Sequence, residues 1–439
     1  MIANIFSRKL ACFSGSLFFL ILVGPSLFAQ SPDALINAKE VEKIERVISS
    51  DDMQGRASFS AGIEKAADFI SGEFSKAGLQ SFGSDKSFRQ TFSMIKAKTL
   101  SAEGTIDGRL INPANIVALT SKEDLLVNNQ SNYFKRRIKA GDNFRAEIFR
   151  YLQKDSNFLV FIDTSFAKNF PRLQGLNNQH FKSEYNTVFI LATGEPATFD
   201  IHVRNELTES KLSNVVGVLP GKSRKNEYVI FSAHYDHLGI GKPNAAGDSI
   251  YNGANDDASG STAVIMLARY FSQLKNNERT LVFATFAAEE MGGFGSQYFS
   301  RQFDPARTMA MFNIEMIGTE SKWGTNSAYI TGYERTDMGK ILEKNLEGTK
   351  FSFYPDPYPQ QQLFFRSDNA TLARQGVPAH TISTSKMDSE KYYHTADDEI
   401  ETLDMNNMAE IIKAIAVSST SIISGKDTPS RVDVSGLRQ

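Results

Sequence analysis

The chain has 439 residues, enough for two or three domains, with 41% hydrophobic and 22% charged residues in ordinary globular proportion. That balance excludes a disordered chain, a collagen and a coiled coil, and a formal net charge of −2 leaves no global basic field to hold nucleic acid. The one cysteine, Cys12, excludes a disulfide framework, so any bound metal must be held by histidines and carboxylates.

Residues 1–29 read as a secretory signal. Arg8 and Lys9 open it, an apolar run follows from Cys12 to Val23, and Ser26-Leu27-Phe28-Ala29 offers small residues for cleavage after Ala29. The run is shorter than the ~20 residues of a spanning helix. The expectation is a mature protein that is secreted or periplasmic, with no membrane partner after cleavage. Ala34 to Ile48 and Ile63 to Ala77 carry apolar residues at helical spacing, the second closed by Gly78. From about residue 100 the texture changes to short strand-like runs: Asn115–Leu119, Phe158–Ile162, Thr187–Leu191 and Phe199–Val203. They flank one helix near Phe144 to Leu152 and predict a small separate lobe. The basic run Lys135-Arg136-Arg137 reads as a solvated helix face.

From Ser213 onward buried strands alternate with helices. Strands are predicted over Asn214–Leu219, Tyr228–Ala233, Thr280–Ala287, Met309–Ile314, Ser327–Ile330 and Ala379–Ile382. Helices are predicted over Ser261–Leu274, from Gly295 and over Met405–Ile423. Such alternation predicts an α/β fold with a mixed, mostly parallel central sheet flanked by helices. The predicted divisions are 1–29 signal, 30–99 first part of the main domain, 100–208 inserted α+β lobe, 209–425 main domain and 426–439 polar tail.

Ligands of such a sheet bind beyond the carboxyl ends of its strands. After Tyr228–Ala233 comes His234-Tyr235-Asp236-His237, after Thr280–Ala287 come Glu289 and Glu290, and after Ile314 comes Glu315. A Gly-rich turn holds Asp256 and Asp257, and Tyr393-His394-Thr395-Ala396-Asp397-Asp398 lies near the end. Singly, each reads as turn or surface chemistry. Together they read as a metal site, because a carboxylate such as Glu315 at the end of an apolar strand is costly unless paired or metal-bound. Asp256, Glu290 and Glu315 carry three negative charges. Two zinc ions leave one positive charge, which a bridging hydroxide cancels. Two imidazoles and three carboxylates suffice if one carboxylate bridges.

The ordered motifs His-Tyr-Asp-His, Gly-Ala-Asn-Asp-Asp-Ala-Ser-Gly, Ala-Glu-Glu, Asn-Ile-Glu-Met-Ile-Gly and His-Thr-Ala-Asp-Asp resemble those of the secreted and vacuolar co-catalytic zinc aminopeptidases. Relatives of that family include glutamate carboxypeptidase II, the glutaminyl cyclases and the transferrin receptor. The resemblance covers about Leu35 to Phe92 and Ser213 to Ile423, and implies the zinc-exopeptidase fold. It implies two zinc ions held by His234, Asp256, Glu290, Glu315 and His394, with Asp256 bridging. Glu289 is then the general base, Asp236 orients His234 from the next layer, and Asp398 acts similarly near His394. The resemblance also implies a cis peptide bond after Asp256. Residues 100–204 loosely resemble a protease-associated insert, with a lid over the cleft as the expected role.

Two positions depart from the family pattern. Glu315 stands where Asp is common, and Asn369 stands where His is frequent, which reads as a substrate-side difference. The implied reaction is hydrolysis of an N-terminal peptide bond, so the partners are peptides with a free amine. Three alternatives stay open: a glutaminyl cyclase with one zinc, a carboxypeptidase with Arg residues for the substrate carboxylate, and a non-catalytic binding relative with lost ligands.

Overall fold

A computed structural model of the protein describes residues 32–83, 86–152 and 155–435. The predicted signal segment lies outside the described residues, as do the last four residues of the polar tail. Among the described residues no helix is long and apolar enough to cross a membrane.

The first long helix, Ala38–Ile48, starts where the Asn37 side chain accepts the Glu40 amide at 3.1 Å. It buries Val41, Ile44 and Ile48 in the main core, with Glu45 beside them. Glu45 Oε2 accepts the Thr262 hydroxyl at 2.7 Å, while Oε1 is buried without a partner. Burial pushes this carboxyl up from 4.5 to about 8. Its contribution to stability is therefore full below the unfolded value and is lost as pH rises through the native one. Glu45→Gln should accordingly flatten the fall in Tm between about pH 5 and 8, which melting curves across that window will test. The second helix, Ala61–Lys76, is opened by the Ser60 hydroxyl on the Ile63 amide, and Gly78 follows it at φ 74°.

The main sheet has four parallel strands at its centre: Ala379–Ser383, Thr308–Ile314, Arg224–His234 and Arg279–Phe286. Arg279–Phe286 and Ala379–Ser383 are buried at every position, as expected where helices cover both faces. Beyond Ala379–Ser383 lie Ser327–Ile330, antiparallel, and Ser352–Pro355. On the other side the sheet turns antiparallel, through Phe199–Leu219 and then Arg89–Ile106. The sheet is thus mixed, with its parallel part confined to the centre. Phe231 stacks on Phe271, Phe283 and Phe312, with ring centroids 5.0–5.6 Å apart, under the helix Ser259–Leu274.

The runs read as Phe199–Val203 and Asn214–Leu219 are one strand of 21 residues. The charged segment between them, Asn205-Glu206-Leu207-Thr208-Glu209-Ser210-Lys211, remains strand because it pairs with Lys96–Thr99 and Ser93–Ile95 along a long antiparallel ribbon, whose other strand is also paired with His180–Phe181. At the far end of this ribbon sits a second sheet, ordered Ile116–Leu119, Thr187–Leu191, Phe158–Ile162 and Phe134–Ile138. One face packs Ile116, Leu159, Phe161 and Val188 against Ile201 and Val203 of the ribbon. The other packs Val160 and Phe189 under Ile148 and Tyr151 of the helix Phe144–Leu152. The Lys135-Arg136-Arg137 run lies on the edge strand of this sheet, not on a helix. Charge there suits an edge that must not pair with another chain. Arg137 meets Asp163 at 3.1 Å, and Lys135 lies over the Phe199 ring.

Candidate metal centre

The strands Arg224–His234, Arg279–Phe286 and Thr308–Ile314 end side by side, delivering His234, the Glu289–Glu290 turn and Glu315 to one edge of the sheet. The Gly-rich turn before the helix Ser259–Leu274 crosses this edge. Gly253 there has φ 52°, and the Asp256–Asp257 bond is cis. Asp257 does not point into the site. Its Oδ1 accepts the Gly260 and Met316 amides at 2.9 and 3.1 Å, and its Oδ2 accepts the His234 amide at 3.3 Å. One carboxylate thereby ties two strand ends to the helix start. A Cβ at Gly260 would stand 2.2 Å from the Ile314 carbonyl, so only glycine lets the turn come this close.

Asp256 occupies the centre. Its Oδ1 is 3.3 Å from His234 Nε2 and its Oδ2 is 3.2 Å from His394 Nε2. His394 Nε2 is also 3.2 Å from Glu290 Oε1. His394 has φ 58°, and Tyr393 stacks on its ring at 3.8 Å. Glu289 and Glu315 line the same cavity as Asp256 and Glu290. The residues read from the sequence as ligands and base are therefore brought to one cleft.

The supporting contacts differ from expectation in three places. His234 Nδ1 lies 3.1 Å from the backbone carbonyl of Asp236, while the Asp236 carboxylate is 3.8 Å away. That carboxylate instead accepts the Glu289 amide at 3.0 Å and the Ser58 hydroxyl at 3.3 Å. Asp236 thus orients His234 through its main chain and the Glu289 turn through its side chain, because the strand ends at His234 and the chain turns. Asp398 accepts the Asn255 and Asp256 amides at 2.8 and 3.0 Å, so it holds the turn that carries Asp256 and not His394. Asn369 does not face substrate. It is buried, donates to the Phe364 and Ala379 carbonyls, and accepts the Thr381 hydroxyl at 2.9 Å.

Sequence reasoning missed two residues. The Arg56 guanidinium is fully buried and donates to the Tyr235 carbonyl at 2.8 Å, the Ile48 carbonyl at 2.9 Å and the Gly253 carbonyl at 3.0 Å. It clamps the loop after His234 to the turn before Asp256. His237 was visible in the His-Tyr-Asp-His motif. It is buried, with Nδ1 3.0 Å from Glu290 Oε1.

The electrostatics show what the cleft is suited to hold. Burial raises Glu315 and Asp236 to about 7, and lifts Glu289 well above the carboxylate range, with neighbouring carboxylates adding to Glu289 and Glu315. Burial also opposes ionisation of Asp256, but the imidazoles of His234 and His394 outweigh it and hold that carboxyl well below its ordinary value. Burial lowers His394, yet Asp256 and Glu290 push it up to about 10. Among the described residues no Lys or Arg is ion-paired with these five carboxylates. Asp256 Oδ2, Glu315 Oε2 and His394 Nε2 are buried without a hydrogen-bond partner although their neighbours stand close. Converging oxygens and imidazole nitrogens, unsatisfied by one another, fit divalent cations held by nitrogen and oxygen. His237, Asp256 and Glu290 also bring ligand atoms within 4.8 Å of one another.

The architecture is a mixed α/β domain that gathers candidate metal ligands at the carboxyl ends of its central parallel strands and on the two loops beside them. Residues 214–419 match the family model of Peptidase family M28. A probable leucine aminopeptidase of Trichophyton verrucosum (strain HKI 0517) is 30% identical over 208 residues, covering 46% of this chain and 54% of the relative. Leucine aminopeptidase 1 of Neurospora crassa is 26% identical over 212 residues, covering 45% and 50%. The chain thus spans about half the length of the curated relatives it matches. Among solved structures, an aminopeptidase from Aneurinibacillus sp. strain AM-1 superposes with a TM-score of 0.54 at 18% identity, covering 93% of this chain and 98% of that one. The zinc aminopeptidase from Bacillus subtilis gives 0.54 at 16% identity, covering 89% and 95%. At these identities the likeness is one of fold.

Proposed function

We propose that the protein is a zinc-dependent exopeptidase, an aminopeptidase that hydrolyses the N-terminal bond of peptides at a two-zinc centre. The observation that carries this reading is Asp256, whose two oxygens face two different imidazoles, His234 and His394, at 3.3 and 3.2 Å. His234, Asp256 and Glu315 would hold one ion, and Asp256, Glu290 and His394 the other. The names of the relatives and fold neighbours support the aminopeptidase and zinc parts of the reading.

Bound zinc would polarise the scissile carbonyl and lower the pKa of a bound water. The chain's own groups do the rest. Glu289 lies in the cleft with no competing ion pair, takes the proton from water and returns it to the leaving amine. Glu315 offers negative charge to the free α-ammonium of the substrate. Tyr329, Leu363, Met387 and Tyr393 line the cavity beyond and supply an apolar wall for the first side chain. The signal-like residues 1–29 support export, to the periplasm or the medium.

Purified protein should hold close to two zinc ions and release the first residue from peptides with a free N-terminus. N-acetylated copies of the same peptides should be untouched. Equal cleavage of the blocked peptides, ring closure of an N-terminal Gln peptide, or active protein free of divalent metal would overturn the reading.

A further inference from the structure

The five proposed ligands leave one buried imidazole of the cleft without a task. His237 follows the strand end at His234 by three residues, and its side chain is fully buried. Nδ1 makes a 3.0 Å hydrogen bond with Glu290 Oε1. Nδ1 is 3.9 Å from Asp256 Oδ2, and the ring meets that of His394 edge-on at 5.6 Å. Nε2 is buried and has no hydrogen-bond partner.

These contacts fix the ring's orientation and its proton. A Cβ at Gly253 would stand 2.5 Å from His237 Cδ2, so the ring lies against the Gly253 backbone, which blocks it on that side. The His237 amide donates to the Arg56 carbonyl at 3.3 Å, which ties its backbone to the residue that clamps both loops. A proton on Nε2 would be a buried donor with no acceptor, and would set two lone pairs against each other across 3.0 Å. A proton on Nδ1 gives Glu290 Oε1 a donor and leaves Nε2 as a bare acceptor, the smaller cost. With its proton there, Nδ1 cannot coordinate a metal. Glu290 Oε1 also faces His394 Nε2, so a donor on its other side decides how the carboxylate is turned toward the space between Asp256 and His394.

We propose that His237 is a positioning residue: its Nδ1–H turns Glu290 toward the ion position that Glu290 shares with His394, and so sets that position's affinity separately from the His234–Glu315 position. The inference rests on the two-zinc reading above. Hydrogen-bonded partners of metal ligands typically change affinity by 10–100-fold when removed.

The test is a cobalt titration of the full-length metal-free protein, followed by the visible absorption of bound Co²⁺ and by metal content after dialysis. It compares wild type, His237→Ala and His237→Gln. In His237→Ala one of two binding steps should weaken by about 10–100-fold while the other stays within about twofold. His237→Gln, whose amide can donate to the same oxygen, should recover most of the loss. Two unchanged steps in His237→Ala would overturn the proposal. So would a loss that Gln does not repair, which would make the ring itself a ligand. If His237→Ala does not fold by near-ultraviolet dichroism, His237→Gln decides alone: wild-type binding supports the donor role and a lost step overturns it. A wild type that binds no divalent ion would instead remove the two-zinc reading, and this inference with it.

Discussion

Glu289→Gln is expected to keep the two proposed zinc ions and lose about 10²–10⁴-fold in kcat, the usual worth of a positioned acid–base group. The substitution preserves the shape of the side chain and its backbone link to Asp236, whose carboxylate accepts the residue 289 amide whatever the side chain. It removes only the ability to take up and return a proton. Among the described residues neither His234 nor His394 makes an ion pair with Glu289, so the ligand set should not relax. The raised pKa of Glu289 arises from burial and from the carboxylates of Asp368, Glu315 and Glu290, against the opposing His234 imidazole, and an amide relieves both burial and repulsion. Thermal stability should therefore hold or rise while turnover collapses. Metal content, melting temperature and kcat on one preparation check this. Near wild-type turnover would move the proton transfer to another group. Glu290→Gln forms the contrast, because it should lose metal.

The main features of the cleft were legible because four of the five proposed ligands follow a buried apolar strand or precede a helix, so local pattern and topology agree, while His394 lies on a loop. His234, Glu290 and Glu315 needed only the rule that ligands gather at the carboxyl ends of parallel strands. The long ribbon was illegible for a physical reason. Its middle, Asn205 to Lys211, is polar apart from Leu207 and carries no alternating apolar code, so pairing with Ser93–Thr99 makes it strand. The basic run Lys135–Arg137 was misplaced on a helix because three like charges have no period. Arg56 was invisible because its guanidinium donates to main-chain carbonyls, and carbonyls leave no trace in residue types. Asp236 and Asp398 were named for the right neighbourhood and the wrong contact. Sequence spacing placed them near an imidazole, but the turns present backbone amides closer.

Asp256→Asn should cost both ions at once, where loss of any other single proposed ligand should cost chiefly one. The argument is charge and geometry together. Each carboxylate oxygen faces a different imidazole, so only this residue serves both positions. An amide keeps one oxygen, turns the other end into a donor aimed at His234 or His394, and removes the charge the two proposed positions share. The loop should survive, because Asp398 still accepts the Asn255 and residue 256 amides and Asp257 still ties Gly260 to Met316. Metal loss therefore will not be mistaken for unfolding. Activity should fall by more than about 100-fold, the upper cost of losing merely an outer partner of a ligand. Metal content, circular dichroism and activity of the same sample give the reading. A folded Asp256→Asn protein that retains two ions would show that the two imidazoles do not share a bridging carboxylate, and the centre would have to be rebuilt around Glu290 and His237.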